Sequence, residues 1–114
     1  MSGKSGFSDH DQFALDLHGA FIRRTRLSGA NLRRANLSGA DCRGADFSFS
    51  QLGEANLSSA NLSDANLEGA DFENANLDGA DLRGADLTDA KGLTRKQLSQ
   101  AIVDETTKLP ELRD

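Results

Sequence analysis

The chain contains no Trp and no Tyr, and only one Pro, one Met and one Cys in 114 residues. A lone thiol, Cys42, cannot close an internal disulfide and fits a reducing compartment, so a cytoplasmic location is expected. Histidine is nearly absent as well: His10 and His18 are the two present, and no His/Cys spacing matches a metal site. Hydrophobic residues make up 37% of the chain, thin for a conventional globular core at this size. No run approaches the ~20 apolar residues of a membrane span, so no membrane insertion is expected. The N-terminus, Met1 to Gly6, is rich in Gly and Ser with one Lys and no apolar stretch behind it; it reads as neither a secretory signal nor a transit peptide. The net charge of −5 counts against general nucleic-acid binding.

What is present is a repeat. From Ala30 the chain reads ANLRR, ANLSG, ADCRG, ADFSF, SQLGE, ANLSS, ANLSD, ANLEG, ADFEN, ANLDG, ADLRG, ADLTD. The frame extends back through Ala20 and Thr25 toward Leu15. Each unit has a central Leu, Phe, Ile or Cys, with Ala two before it and Asp or Asn one before it. Two polar or small residues follow. A period of five excludes an α-helix, because five residues advance 500° and the central residue would visit every face. It also excludes one continuous strand, because five is odd and successive central residues would alternate sides. Ala30 and Leu32 are two apart and point the same way on an extended segment. A corner must then follow before Ala35 and Leu37 can point inward too. Four such corners give a square coil of twenty residues, with Leu37, Leu57 and Leu77 in one column and Leu32, Leu52 and Phe72 in another.

This pattern resembles the pentapeptide repeat family, whose consensus is A(D/N)LXX. Thirteen of the fifteen small positions from Ala20 to Ala90 are Ala, the exceptions being Thr25 and Ser50. The resemblance implies an all-β solenoid, a right-handed quadrilateral β-helix of about four coils; the handedness comes from the family alone. It also makes the Asp and Asn before each central residue coil-stabilising groups rather than catalytic carboxylates or calcium ligands. A bacterial origin is expected on the same ground. The recurrent Gly two after the centre suits corners of positive φ, and a different turn type is expected where Arg24, Arg34 or Glu54 takes that place.

A stacked rod exposes backbone at its ends and needs caps. Residues 1–14 read as an N-terminal tail and cap, 15–91 as the β-helix, and 92–114 as a C-terminal α-helical cap. Gly92 breaks the repeat. Thr94 is an N-cap, Gln97 closes a capping box, and Leu93 with Leu98 forms a hydrophobic staple. Leu98, Ala101 and Ile102 are expected on one helical face. At the other end Phe7, Phe13 and Leu15 are expected over the first coil, with a short helical turn starting at Ser8-Asp9-His10-Asp11.

No catalytic constellation appears, so no enzymatic activity and no cofactor are expected. His18 follows central Leu17 and should face solvent. Cys42 is itself a central residue, stacked between Ile22 and Leu62, and reads as a buried, unreactive thiol. The wall is more informative. Arg23, Arg24, Arg26, Arg33, Arg34 and Arg43 form an N-terminal collar against a single acid, Asp41. Below it Asp46, Glu54, Asp64, Glu68, Asp71, Glu73, Asp78, Asp81, Asp86 and Asp89 face only Arg83. Phe49 is expected outside, two after central Phe47, between Gly29 and Gly69 in its column. The candidate partner surface is therefore the six collar arginines, Phe49, Asp64, Glu68, Glu73 and Asp78. The expected function is a non-catalytic interaction or scaffold module for a protein partner, acting as a monomer with a dimer left open. One alternative is a DNA-mimic modulator of DNA gyrase, as some family members are. The rod is short for that, since four coils at ~4.8 Å match only about five base pairs. Another is anion or nucleic-acid binding through the arginine collar.

Overall fold

In the computed structural model, residues 14–112 are described. Isolated parallel bridges join the residue before each centre to its counterpart twenty positions on, in an unbroken series from Asp16↔Asn36 to Asp71↔Lys91. Four pentapeptides thus make one coil. Backbone bonds run between coils at every unit: Leu37 N–H donates to Asn56 O (2.8 Å), Gly39 N–H to Ser58 O (2.9 Å), and Asn56 N–H to Ala35 O (2.9 Å). Central side chains of successive coils lie over one another. Leu37, Leu57 and Leu77 form one fully buried column, and Leu52 and Phe72 another. The Ala of each unit fills the space between columns, and the core is a single continuous cluster of these two residue classes.

Each corner is a β-turn closed by one bond, such as Ala40 N–H to Leu37 O (3.1 Å). Its third residue has positive φ at every unit, whatever its identity. Gly39 has φ 66°, and Arg24, Arg34 and Glu54 have φ 57°, 64° and 59°. The expectation of a second turn type at those three residues is corrected. The inter-coil ladder and the closing bond impose one corner geometry, and a non-glycine residue there accepts the strain of the left-handed region.

A second device reinforces the corner. The Asp or Asn before each centre accepts, through Oδ1, the backbone N–H two residues on. Examples are Ser38 N–H to Asn36 (3.0 Å), Ser58 N–H to Asn56 (3.0 Å) and Thr88 N–H to Asp86 (3.0 Å). Where the following residue is Ser or Thr, its hydroxyl donates to the same oxygen. These residues are turn-builders, as the resemblance implied.

The four sides of the coil can now be named by their central residues. The first carries Leu17, Leu37, Leu57 and Leu77; the second Ile22, Cys42, Leu62 and Leu82; the third Leu27, Phe47, Leu67 and Leu87; the fourth Leu32, Leu52 and Phe72. The second and fourth faces are opposite each other.

At the C-terminal end Gly92 (φ 74°) lets the chain swing against the last unit of the fourth face. A Cβ there would lie 2.6 Å from Glu73 N, which no side chain could relieve. Helix α1 then spans Arg95–Ser99, with Thr94 as N-cap and both bonds of a capping box. Leu93 and Leu98 are buried. Gln97 Nε2 donates to Ala75 O (3.1 Å), supplying the bond a regular next coil would make through its backbone, and to Phe72 O (3.0 Å). The helix is shorter than expected. Ile102 is not on its face but resumes the ladder beside Asp81, and is 45% exposed. Lys108 follows beside Asp86. Thr107 Oγ1 donates to Leu82 O (2.8 Å). At the other end Leu17, Ile22 and Leu27 are only partly buried, and Leu15 is exposed. Phe7, Phe13 and the turn expected from Ser8 lie outside the described residues.

Candidate functional site

The wall is built of the residues before and after each centre, plus the corner residue. Their positions modulo twenty decide which can act together. Arg23 and Arg43 stack on the second face, with Arg24 at its edge; Arg26 lies on the third; Arg33 and Arg34 belong to the fourth. The six collar arginines therefore do not form one patch, because they are split between opposite sides of the rod.

Acids of the same or the next coil also engage them. Arg43 grips Asp41 with two bonds of 2.9 Å, and Arg23 approaches the same carboxylate at 3.5 Å. Hydrogen bonds from the Arg43 guanidinium hold the Asp41 carboxyl down at about 2, below its ordinary 3.8. Arg34 Nε donates to Glu54 (2.9 Å), and Arg33 lies 3.9 Å from the same side chain. Farther along the second face Arg83 grips Asp81, again lowering the carboxyl. This face alternates charge, which is a poor imitation of a polyanion. His18 is exposed, as expected, with Nδ1 2.7 Å from Asp16 Oδ1. Cys42 is fully buried, and burial pushes its thiol up to about 12, so it is not a nucleophile in the folded chain.

Phe49 occupies the corner between the third and fourth faces at φ 59°. Its ring lies over Gly69 of the next coil. A Cβ on Gly69 would sit 2.4 Å from Phe49 Cδ1. The ring nevertheless stays 63% exposed. Other exposed large apolar residues among the described ones, such as Phe21 at 85% and Ile102, lie in the first coil or beyond the repeat. Below Phe49 the same corner gathers Glu68 and Asp89, with Asp71 beside it on the fourth face; Glu73 lies across that face toward its other corner, Asp64 sits on the edge between the second and third faces and Asp78 on the first face. Of the expected surface, Phe49 and Glu68 share a corner, with Glu73 across the adjoining face. The remainder disperses.

The stretch around Phe49 breaks the repeat in further ways. Ser50 replaces Ala, and its Oγ is buried with no hydrogen-bond partner. Gln51 replaces Asp or Asn and makes no bond to the N–H two residues on, unlike Asp71 one coil below, which accepts from Glu73 N–H (3.0 Å). Gly53 is buried at a place where every other unit from His18 to Thr88 carries a polar or charged side chain, and its φ is not positive. Its backbone conformation therefore does not demand Gly. The Arg33 guanidinium lies over it, with Nη1 2.6 Å from where a Cβ would be. A groove of about 590 Å³ opens lower on the fourth face, lined by Asp71, Glu73, Lys91, Gly92 and Glu111 with Leu93 and Leu112. Among the described residues no group of His, Cys, Asp or Glu is arranged to hold a metal, and no helix is long and apolar enough to cross a membrane.

The family model of pentapeptide repeats matches eight copies here, over residues 16–48 and 50–89. The chain belongs to the pentapeptide repeat family. The match breaks at Phe49, where the wall is least regular. Solved structures agree. A pentapeptide repeat protein (Rfr23) from the cyanobacterium Cyanothece 51142 superposes with a TM-score of 0.73 at 33% identity, covering 82% of this chain and 63% of that one. HetL, a pentapeptide repeat protein involved in heterocyst differentiation regulation in Nostoc sp. strain PCC 7120, gives 0.69 at 34% identity, with 86% and 45% covered. A further pentapeptide repeat protein from Nostoc PCC 7120 gives 0.72 at 37%, with 82% and 77% covered. The chain thus spans under two thirds of the length of the first two. No match was found among proteins with curated functions. These neighbours make the solenoid a right-handed quadrilateral β-helix.

Position arithmetic would have separated the two arginine groups from the sequence alone, since Arg23 and Arg33 differ by half a coil. The orphan Ser50 hydroxyl was legible too, as a polar residue in an Ala column. The missing bond at Gln51 follows from one extra methylene.

Proposed function

We propose that this pentapeptide repeat chain is a non-catalytic protein-interaction module, in keeping with the general behaviour of its family. Its contact surface is the corner headed by Phe49, with Glu68 and Asp89 below, and the adjoining fourth face with Asp71 and Glu73. The observation that carries this reading is a large aromatic ring left on a wall that is polar below the first coil, at a corner position suited to Gly. Aromatic side chains, Phe included, are enriched at protein–protein interfaces, whose rims are polar. Residues 92–112 act as the C-terminal cap, with Gln97 and Thr107 satisfying carbonyls of the coils they cover. That cap leaves the wall, rather than the C-terminal end of the rod, as the binding surface. HetL is involved in regulation, and a regulatory contact is a role a wall of this kind suits. The test is affinity capture from the native cell extract with the wild type and with Phe49→Ser. A partner retained by the first and lost by the second supports the reading. Equal capture by both, or by a fully charge-reversed corner, removes this corner as the site.

A further inference from the structure

The fourth face is self-complementary about the second coil. Arg33 stands one coil above Gly53 and Glu73 one coil below it, all three in the same column, twenty residues apart. In the neighbouring column Asn31, Gln51 and Asp71 follow the same spacing, and at the corner Gly29, Phe49 and Gly69 do so. A two-fold axis lying across this face at the level of the second coil reverses the rod direction and keeps each column opposite itself. It therefore sets Arg33 against Glu73 of a second copy, twice. It also sets Asn31 against Asp71, the Gln51 amide against its own copy, and one Phe49 ring against the other.

We infer that the occupant of the Phe49 corner is a second copy of this chain, packed side by side and antiparallel through the fourth face. This rests on the reading of that corner as a binding surface and names what binds there. Gly53 lies on the axis, its missing side chain leaving room for the Arg33 guanidinium that lies over it. Glu73 has no ion-pair partner among the described residues, and Arg33 makes only a loose contact with Glu54 at 3.9 Å, so both are available to the second copy. The Glu54 carboxylates that meet near the axis are each already bonded to Arg34.

The area is modest. Five residues at ~3.3 Å per side and the three coils of this face at ~4.8 Å give roughly 240 Å² per copy, so the dimer is weak and forms at high protein concentration. Its dependence on two ion pairs makes it salt-sensitive.

Sedimentation equilibrium from about 10 µM to about 1 mM tests the idea at low and high salt. The wild type is expected to show a monomer–dimer equilibrium that weakens with salt. Arg33→Glu and Glu73→Arg should each weaken it roughly tenfold or more, and the double exchange R33E/E73R should return it to within about threefold of the wild type. Circular dichroism confirms that each variant is folded. A wild type that stays monomeric throughout, or a double exchange no better than the singles, overturns the dimer. If the dimer is absent while Phe49-dependent capture of another protein persists, the inference fails and the interaction reading stands. If a salt-sensitive dimer forms but is indifferent to Phe49→Ser, the corner is not its contact and the inference fails at that residue, while capture of another protein still decides the interaction reading.

Discussion

Ser48 to Glu54 and Glu68 to Asn74 occupy the same corner and face one coil apart, and they differ at every position. Phe49 stands over Gly69, Ser50 over Ala70, Gln51 over Asp71, Gly53 over Glu73. Their backbones nonetheless match. Both corner residues have positive φ, 59° and 68°, and Phe49 N–H and Gly69 N–H both donate along the ladder, at 2.7 and 2.9 Å. The regular stretch has the bond from Glu73 N–H to Asp71, an Ala in the core and a Gly at the strained corner. The irregular one gives up all three. The difference teaches that the coil geometry is set by the stack and its central residues, and that a single unit can lose its local supports without leaving the register.

The sharpest way to break that conclusion is to remove a central residue. Leu57 is fully buried in the third coil, and Leu57→Ala should cost about 2–5 kcal/mol in urea unfolding. A loss under about 1 kcal/mol would mean that the columns are not what holds the rod. Next comes the orphan hydroxyl. Ser50→Ala removes a buried group without a partner and should raise stability by about 1–2 kcal/mol, read as a higher Tm; a lower Tm would show that Ser50 is satisfied after all. A smaller gain, about 0.5–1 kcal/mol, is expected for Gln51→Asn, which restores the turn bond to Gly53 N–H. If that gain is absent, the turn bonds are incidental to the coil.

The last effect is a pH dependence. The Asp41 carboxyl lies at about 2 in the folded chain against 3.8 ordinarily, chiefly because Arg43 donates to it. A depressed carboxyl stabilises the fold above its unfolded value and loses that contribution as pH falls through its folded one. Thermal melts should therefore show Tm falling between pH 4 and 2, with a shallower fall in Asp41→Asn, which keeps the turn acceptor but not the charge. An unchanged slope would assign acid sensitivity to other carboxylates, such as Asp46, held down first by Ser48.

Much of this was legible in the residues. The five-residue period, the columns through Leu37 and Leu57, the burial of Cys42 and the capping box at Thr94 all follow from local spacing, and local spacing is what builds a solenoid. The corner conformation of Arg24, Arg34 and Glu54 was not, because intrinsic preference favours Gly there and the ladder overrides it. Helix α1 stops at Ser99 rather than running through Ile102, because resuming the ladder beside Asp81 satisfies Ile102's N–H and C=O together. The collar read as one basic belt along the chain, yet a square coil sends residues ten apart to opposite sides. Phe49 was visible as an oddity, and only its seat on Gly69 showed how a ring can be both packed and exposed.

The constant twenty-residue offset of the bridges from Asp16 to Lys91 has an engineering corollary. Excising one pentapeptide would turn everything downstream by a quarter revolution, moving Glu73 off the side that carries Arg33. Excising four in succession would shorten the rod by one storey and leave every remaining side chain on its original wall. Length and facing are thus independently adjustable by the arithmetic of deletion, a freedom that a protein with an interwoven core does not have.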